Sequence, residues 1–288
     1  IDSINGIINL IKQKINDNPD MNWIEGFGWD HNLWGGQYPV ADMLNSISDK
    51  HPIALTRIDG HSMWTNDIAI NRTNYSMEEL NNISGGKIIN NCILVDNSMN
   101  PIREVMPSDD IDDVERWIKV AVANANKMGI TNVHDAWQDA NIVQAIQNLI
   151  AKDKMNLRCY GMLGASHTQL VNKFFSEGHL ISDLYTIRSV KAFIDGALGS
   201  RGAALLEPYS DDNHNCGLIL IEKDEFEDLA RQCNENNFQL CTHAIGDKGN
   251  QFVLDTYNNA LGDNQSRWRI EHAQMVHNDD INKFLPNQ

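Results

Sequence analysis

From residue 108 onward, short apolar runs alternate with amphipathic helices, and that rhythm constrains the fold more than any other feature of the chain. Strand, helix, strand, helix means parallel pairing with right-handed crossovers. In "SDDIDDVERWIKVAVANANKMG", Ile111, Val114, Trp117, Ile118, Ala121 and Val122 share one helical face. Ser108 is expected to cap this helix, and Gly129 to end it. A second helix carries Ile142, Val143, Ile146, Leu149 and Ile150. A helix or turn region covers 167–183, and a helix around 223–235 buries Phe226, Leu229, Ala230 and Cys233. "KGNQFVLDTYNNAL" is a further helix. Between them, strands are expected at about 130–135, 157–163, 190–197, 238–244 and 269–273. An open doubly wound sheet would carry a Gly-rich phosphate turn after its first strand, and neither GxGxxG nor a P-loop follows any of these. The expected fold class is therefore α/β, a partial TIM-type (β/α)8 barrel over 108–288.

Residues 1–107 read differently. They are rich in Asn, Asp, Gly and aromatic residues, with "WIEGFGW" and "PIALTRI" as their two expected strands. They are expected to form a large lobe packed against the barrel, supplying walls for a ligand.

A formal charge of −16 argues against nucleic-acid and anionic-membrane partners, which select basic patches. No apolar run reaches the length of about 18 residues needed for a membrane span. The start, "IDSINGIINLIKQKI", is too polar for a signal peptide. Five scattered cysteines without CxxC point to free thiols and a cytoplasmic location. A first residue other than Met and a last stretch "KFLPNQ" lead to the expectation of a fragment lacking both ends.

Chemistry concentrates on the second half. His243 in "LCTHAIGD" and His272 in "RIEHAQ" each stand at the exit end of an expected strand, where barrel enzymes place their sites. Either alone reads as a structural histidine; together they suggest a shared metal. Lys191 sits inside the otherwise apolar "SVKAFIDGALGSR", and a buried ammonium needs a partner. Two readings stand: an ion pair with a carboxylate such as Asp195, or a carbamate formed with carbon dioxide, an anionic two-oxygen metal ligand. No GxSxG is present, and no cysteine stands beside a plausible histidine base.

"VKAFIDGALGSRGAAL", "EPYSDD", "CTHAIGDKGN" and "RWRIEHAQM", in this order, resemble the amidohydrolase superfamily, and most nearly its family-3 members, similar to N-substituted formamide deformylase. "GFGWDHNLW", "LTRIDGHSMWTND" and "GITNVHDA" share the likeness, which covers nearly the whole chain. The resemblance implies a hydrolase of amide-type, non-peptide carbon–nitrogen bonds, acting through a metal-activated water with one or two divalent ions, zinc above others. It implies Lys191, as the carboxylated or bridging lysine, with His243 and His272 as metal ligands. It also makes the five strands barrel strands two to six, and 1–107 an insertion between strands one and two. The family's HxH pair has no counterpart here, and its general-base aspartate is expected beyond Gln288.

His61 in "DGHSMW", His134 in "NVHDA" at the end of its strand, and Arg201 after "GALGS" are the substrate-side candidates. Asp247 reads as the cap of the helix beginning at Lys248, and Trp29, Trp34, Trp64 and Trp137 as core or pocket wall. The remaining histidines fall in polar segments and carry no assignment. The expected partner is a small amide-type molecule, and a homo-oligomer is compatible with the chain. The rival is a non-catalytic barrel fragment that folds or associates without metal.

Overall fold

Ser3 starts the first helix, α1 (Ile4–Asp17), by accepting a hydrogen bond from Gly6 N at 3.2 Å, and Ile7 and Ile11 are its buried face. This is a computed structural model, and it describes residues 3–262 and 267–284. By contact the chain divides into Ile1–Pro107 with Asp195–Leu220, and Ser108–Ile194 with Ile221–Gln288. The segment 195–220, assigned from sequence to the 108–288 half, thus belongs with the first unit.

In the first unit the two expected strands are β1 (Ile24–Trp29) and, beyond the short helix α2 (Ala41–Asn45), β2 (Ile53–Arg57). They pair in parallel, Ile24 opposite Ile53 and Phe27 opposite Thr56. Next come β3 (Ser62–Thr65), α3 (Asp67–Arg72), α4 (Met77–Asn81), β4 (Gly86–Ile89), β5 (Ile93–Asp96) and α5 (Asn100–Val105). The sheet order is β1-β2-β3-β5-β4, antiparallel from β2 onward. Strands β3 and β5 are buried at every residue, so they lack the alternation that marks a half-exposed strand. Trp64 and Trp29 meet edge to face, 6.4 Å between ring centroids, over Leu44, Ile53 and Ile93. Gly217 secures the returning segment: at φ 77, a Cβ there would lie 1.9 Å from the Ala203 carbonyl oxygen.

The second unit opens with α6 (Ile111–Lys127). Its cap is Asp110, which accepts from Asp113 N at 2.8 Å, rather than Ser108. The buried face holds Val114, Glu115 and Val122, whereas Trp117, expected inside, is 46% exposed. Glu115 turns the helix that way by accepting from Lys152 Nζ at 2.9 Å and Asn148 Nδ2 at 3.0 Å. Gly129 takes φ 77 just past the helix, as expected. There follow β6 (Asn132–Gln138), α7 (Ala140–Ala151), β7 (Arg158–Gly164), α8 (Thr168–Glu177), β8 (Leu180–Ile181) and β9 (Tyr185–Phe193). After 195–220, α9 (Lys223–Glu235), β10 (Gln239–Ala244), α10 (Asp247–Leu261) and β11 (Arg269–His272) complete it. The strand expected at 190–197 begins earlier and ends at Phe193, which leaves Asp195 outside it. Gly246 is the cap of α10, and Asp247 is its first residue. Asp139 caps α7 through Ile142 N at 2.8 Å. Asp139→Ala is expected to cost about 1 kcal/mol in urea unfolding; an unchanged midpoint would show that water replaces the cap.

The order β11-β10-β9-β7-β6 is parallel throughout, with β8 antiparallel on β9. The sheet curls into a half-barrel, far enough for Arg269 Nη1 of β11 to reach His134 Nδ1 of β6 at 3.2 Å. Side chains alternate between its faces. Leu163, Val190, Ala192, Ile194, Leu240 and Ala244 point outward into a core with Ile146, Leu149, Phe226, Ala230, Val253 and Tyr257 of the helices. The residues between them line the concave side.

Candidate functional site

Parity alone sends Lys191 and Phe193 of β9, and Cys241 and His243 of β10, to the concave face, because their neighbours are consumed by the outer core. Cys241 lies opposite Lys191 and His243 opposite Phe193. Lys191 is 2% exposed; its Nζ donates to Ala192 O at 3.0 Å and stands 3.7 Å above the centroid of Phe193. The Phe193 ring lies 5.0 Å from that of His243 and 5.3 Å from that of Trp137. Trp137 reaches this face through a register shift in β6 between Asp135 and Gln138.

His272 arrives by a different route. It pairs with Ala244, whose side chain faces outward, so an extended strand would turn His272 outward too. Its φ of 75 breaks that parity, and its ring meets His243 edge to face at 4.7 Å between centroids. A left-handed histidine followed by Ala273 at φ 42 is costly backbone, of the kind that collects at functional sites. His272→Gly is therefore expected to unfold at higher urea than His272→Ala, by roughly 1 kcal/mol. Equal midpoints would show that the backbone relaxes once the ring is gone.

Three of the sequence candidates thus share one face, with the rings of His243 and His272 at 4.7 Å between centroids. Two imidazoles bonded to one ion at about 2 Å put their centroids about 5 Å apart, close to the separation seen. Among the described residues no three His, Cys, Asp or Glu side chains form a metal-holding group.

His134 is the third residue of β6, near its start rather than its exit end. Its ring lies 4.8 Å from Tyr160, and its Nδ1 meets Arg269. Arg269 also bonds Glu271 at 2.7 Å, and Tyr160 Oη donates to Gln239 Oε1 at 2.7 Å. Burial pushes the Cys241 thiol up to about 11, against a downward pull from Arg269, and the Cys159 and Cys92 thiols up to about 12. These three are poor nucleophiles near neutral pH.

His61 and Arg201 lie in the first unit. Arg201, at φ 61, pairs with Asp211 and donates from Nη1 to Gly199 O at 2.9 Å. His61 follows Asp59, whose Oδ1 accepts from His61 N at 3.1 Å, and its Nδ1 lies 2.7 Å from Asp96 Oδ1. Asp59 and Asp30 both pair with the buried Arg57, whose Nε donates to His31 Nδ1 at 3.2 Å. Burial, and after it Arg57, hold His31 below the usual imidazole range, and its ring stacks on Tyr38 at 4.1 Å. His31 and Asp96 carried no assignment from sequence. The signal for His31 was the pair of short polar motifs "GWDHN" and "RIDGH", which adjacent strands bring together, and Asp96 lies in neither.

Residues 1–288 match the model of the Amidohydrolase family. The chain is 29% identical over 298 residues to Protein LONG AFTER FAR-RED 3 of Arabidopsis thaliana, covering 96% of this chain and 50% of that one. It is 25% identical over 293 residues to the putative amidohydrolase YtcJ of Bacillus subtilis (strain 168), covering 98% and 55%. A crystal structure of an uncharacterized metal-dependent hydrolase from Pyrococcus horikoshii OT3 superposes with a TM-score of 0.69 at 24% identity, over 98% of this chain and 55% of that one. The counterpart from Pyrococcus furiosus gives 0.64 at 23% identity, over 99% and 57%. The chain spans about half the length of these two relatives.

Proposed function

Because the chain belongs to the amidohydrolase family, we propose that its concave sheet face serves a metal-dependent hydrolase of carbon–nitrogen bonds in small non-peptide amides. The observation that carries this reading is the His243–His272 pair, held 4.7 Å apart at the expense of a left-handed backbone at His272. Lys191, His243 and His272 would hold a divalent ion, zinc by their donor chemistry, with Lys191 as its carbamate. Such an ion supplies Lewis acidity, polarising an amide carbonyl and making a water ionisable near neutral pH. The half-barrel would correspond to barrel strands two to six, with 1–107 inserted between the first and second.

Phe193 has a separate part. Its ring covers Lys191 Nζ and lies against His243, which keeps water from these groups and strengthens every charge interaction there. His61, His134 and Arg201 are the proposed substrate contacts. Arg269 and Asp211 now engage the last two, so a ligand has to displace or extend those pairs.

The test is amine release from N-acyl amines, N-formyl amines, ureas and cyclic imides by zinc-loaded protein. Turnover on one class, abolished by chelation and restored by zinc, is the expected result. Zinc-loaded protein inert toward all four classes would leave the family standing and remove the hydrolase reading.

A further inference from the structure

Three separate observations single out Asp96 in the first unit. Its backbone sits at φ 49 and ψ −120, a conformation that side-chain-bearing residues seldom adopt. Its carboxyl is 1% exposed, yet Oδ2 has no hydrogen-bond partner, an omission that ordinarily costs free energy. Two glycines clear its space: a Cβ at either Gly196 or Gly202 would lie 2.3 Å from Oδ2.

All of this serves one contact. Asp96 Oδ1 lies 2.7 Å from His61 Nδ1, and the backbone closes the same pair, Asp96 N donating to His61 O at 3.0 Å. A buried pair needed only to join the end of β5 to the start of β3 would be met by that backbone bond, or by a neutral side chain. A desolvated carboxylate adds something else: it fixes which ring nitrogen carries the proton. Burial raises the Asp96 carboxyl, against the pull of His61, so Oδ1 is a stronger acceptor than a solvated carboxylate. Asp59 raises it further and Arg103 lowers it.

We propose that Asp96 is the positioning residue for His61, accepting its Nδ1–H and so holding the imidazole as the Nδ1–H tautomer, with Nε2 the basic nitrogen that would accept from an amide-type substrate. The substrate half rests on the hydrolase reading; the tautomer half does not. A basic Nε2 accepts a hydrogen bond from an amide N–H, which an Nε2–H tautomer cannot do. His61 remains 12% exposed, enough for contact and little enough for the ring to stay oriented.

The test begins with the unmodified protein. Nitrogen-15 NMR of the imidazoles, with His61 assigned by its loss in His61→Gln, is expected to show protonated Nδ1 and unprotonated Nε2. Protonated Nε2 with bare Nδ1 would overturn the proposal without any Asp96 variant. In Asp96→Asn the ring is expected to gain the other tautomer, because the amide can donate to Nδ1. Turnover on the best amide should fall roughly 10- to 100-fold in kcat, as for other outer partners of functional histidines, with KM changed less than kcat. A folded Asp96→Asn protein with unchanged tautomer and unchanged kcat would make the pair purely structural. If no amide is turned over at all, the tautomer measurement still decides Asp96, and the hydrolase reading alone falls.

Discussion

Lys191→Ala is expected to weaken zinc binding by at least about 100-fold, seen as zinc per chain falling from near one toward the background after dialysis. The reason is chemical rather than steric. Two imidazoles alone make half a tetrahedral site, and the described residues offer no third His, Cys, Asp or Glu beside them. Lys191 is the candidate donor on the same face, held against Phe193 with its Nζ at 3.0 Å from Ala192 O. As an ammonium it repels a cation; as a carbamate it presents two oxygens. Carbon-13 NMR in labelled bicarbonate should therefore show one carbamate signal that Lys191→Ala lacks. Lys191→Met, which keeps the volume, separates ligand loss from a packing defect and should lose zinc equally. Full zinc occupancy in both variants would remove Lys191 from the site.

Phe226→Ala is expected to cost about 3–5 kcal/mol, the largest single effect on stability. Phe226 is 0% exposed on α9, where its ring lies 5.6 Å from Phe252 and 6.4 Å from Tyr257 of α10. Tyr257 Oη is tied in turn to Thr242 Oγ1 at 2.7 Å and Leu240 O at 3.1 Å. The phenyl ring thus fills the junction of two helices with β10, next to the strand that carries His243. Urea unfolding with near-ultraviolet circular dichroism measures the loss. A cost below about 1 kcal/mol would mean that this junction collapses onto the smaller side chain.

Much of the second unit was legible because its elements repeat strong periods. α9 occupies 223–235 as expected, and each of the five strands exists within a few residues of its expected place. Errors gathered where a competing polar contact decides. Glu115 rotates α6 and leaves Trp117 outside; Asp110 takes the cap from Ser108. In the first unit, four-residue strands such as β3 and β5 carry no period to read. The segment 195–220 is bound to its unit by long-range contacts, among them Asn97 Nδ2 donating to Leu220 O at 2.9 Å.

The sequence by itself determined the parallel α/β alternation, the lysine buried in an apolar strand and the two histidines at strand exits, because hydrophobic period and residue chemistry are local properties. Only the tertiary structure decided that His272 turns inward against the parity of its strand and that Asp96 lies beneath His61 between two glycines. Both depend on single backbone dihedrals that only surrounding packing can hold, since an isolated chain would relax them.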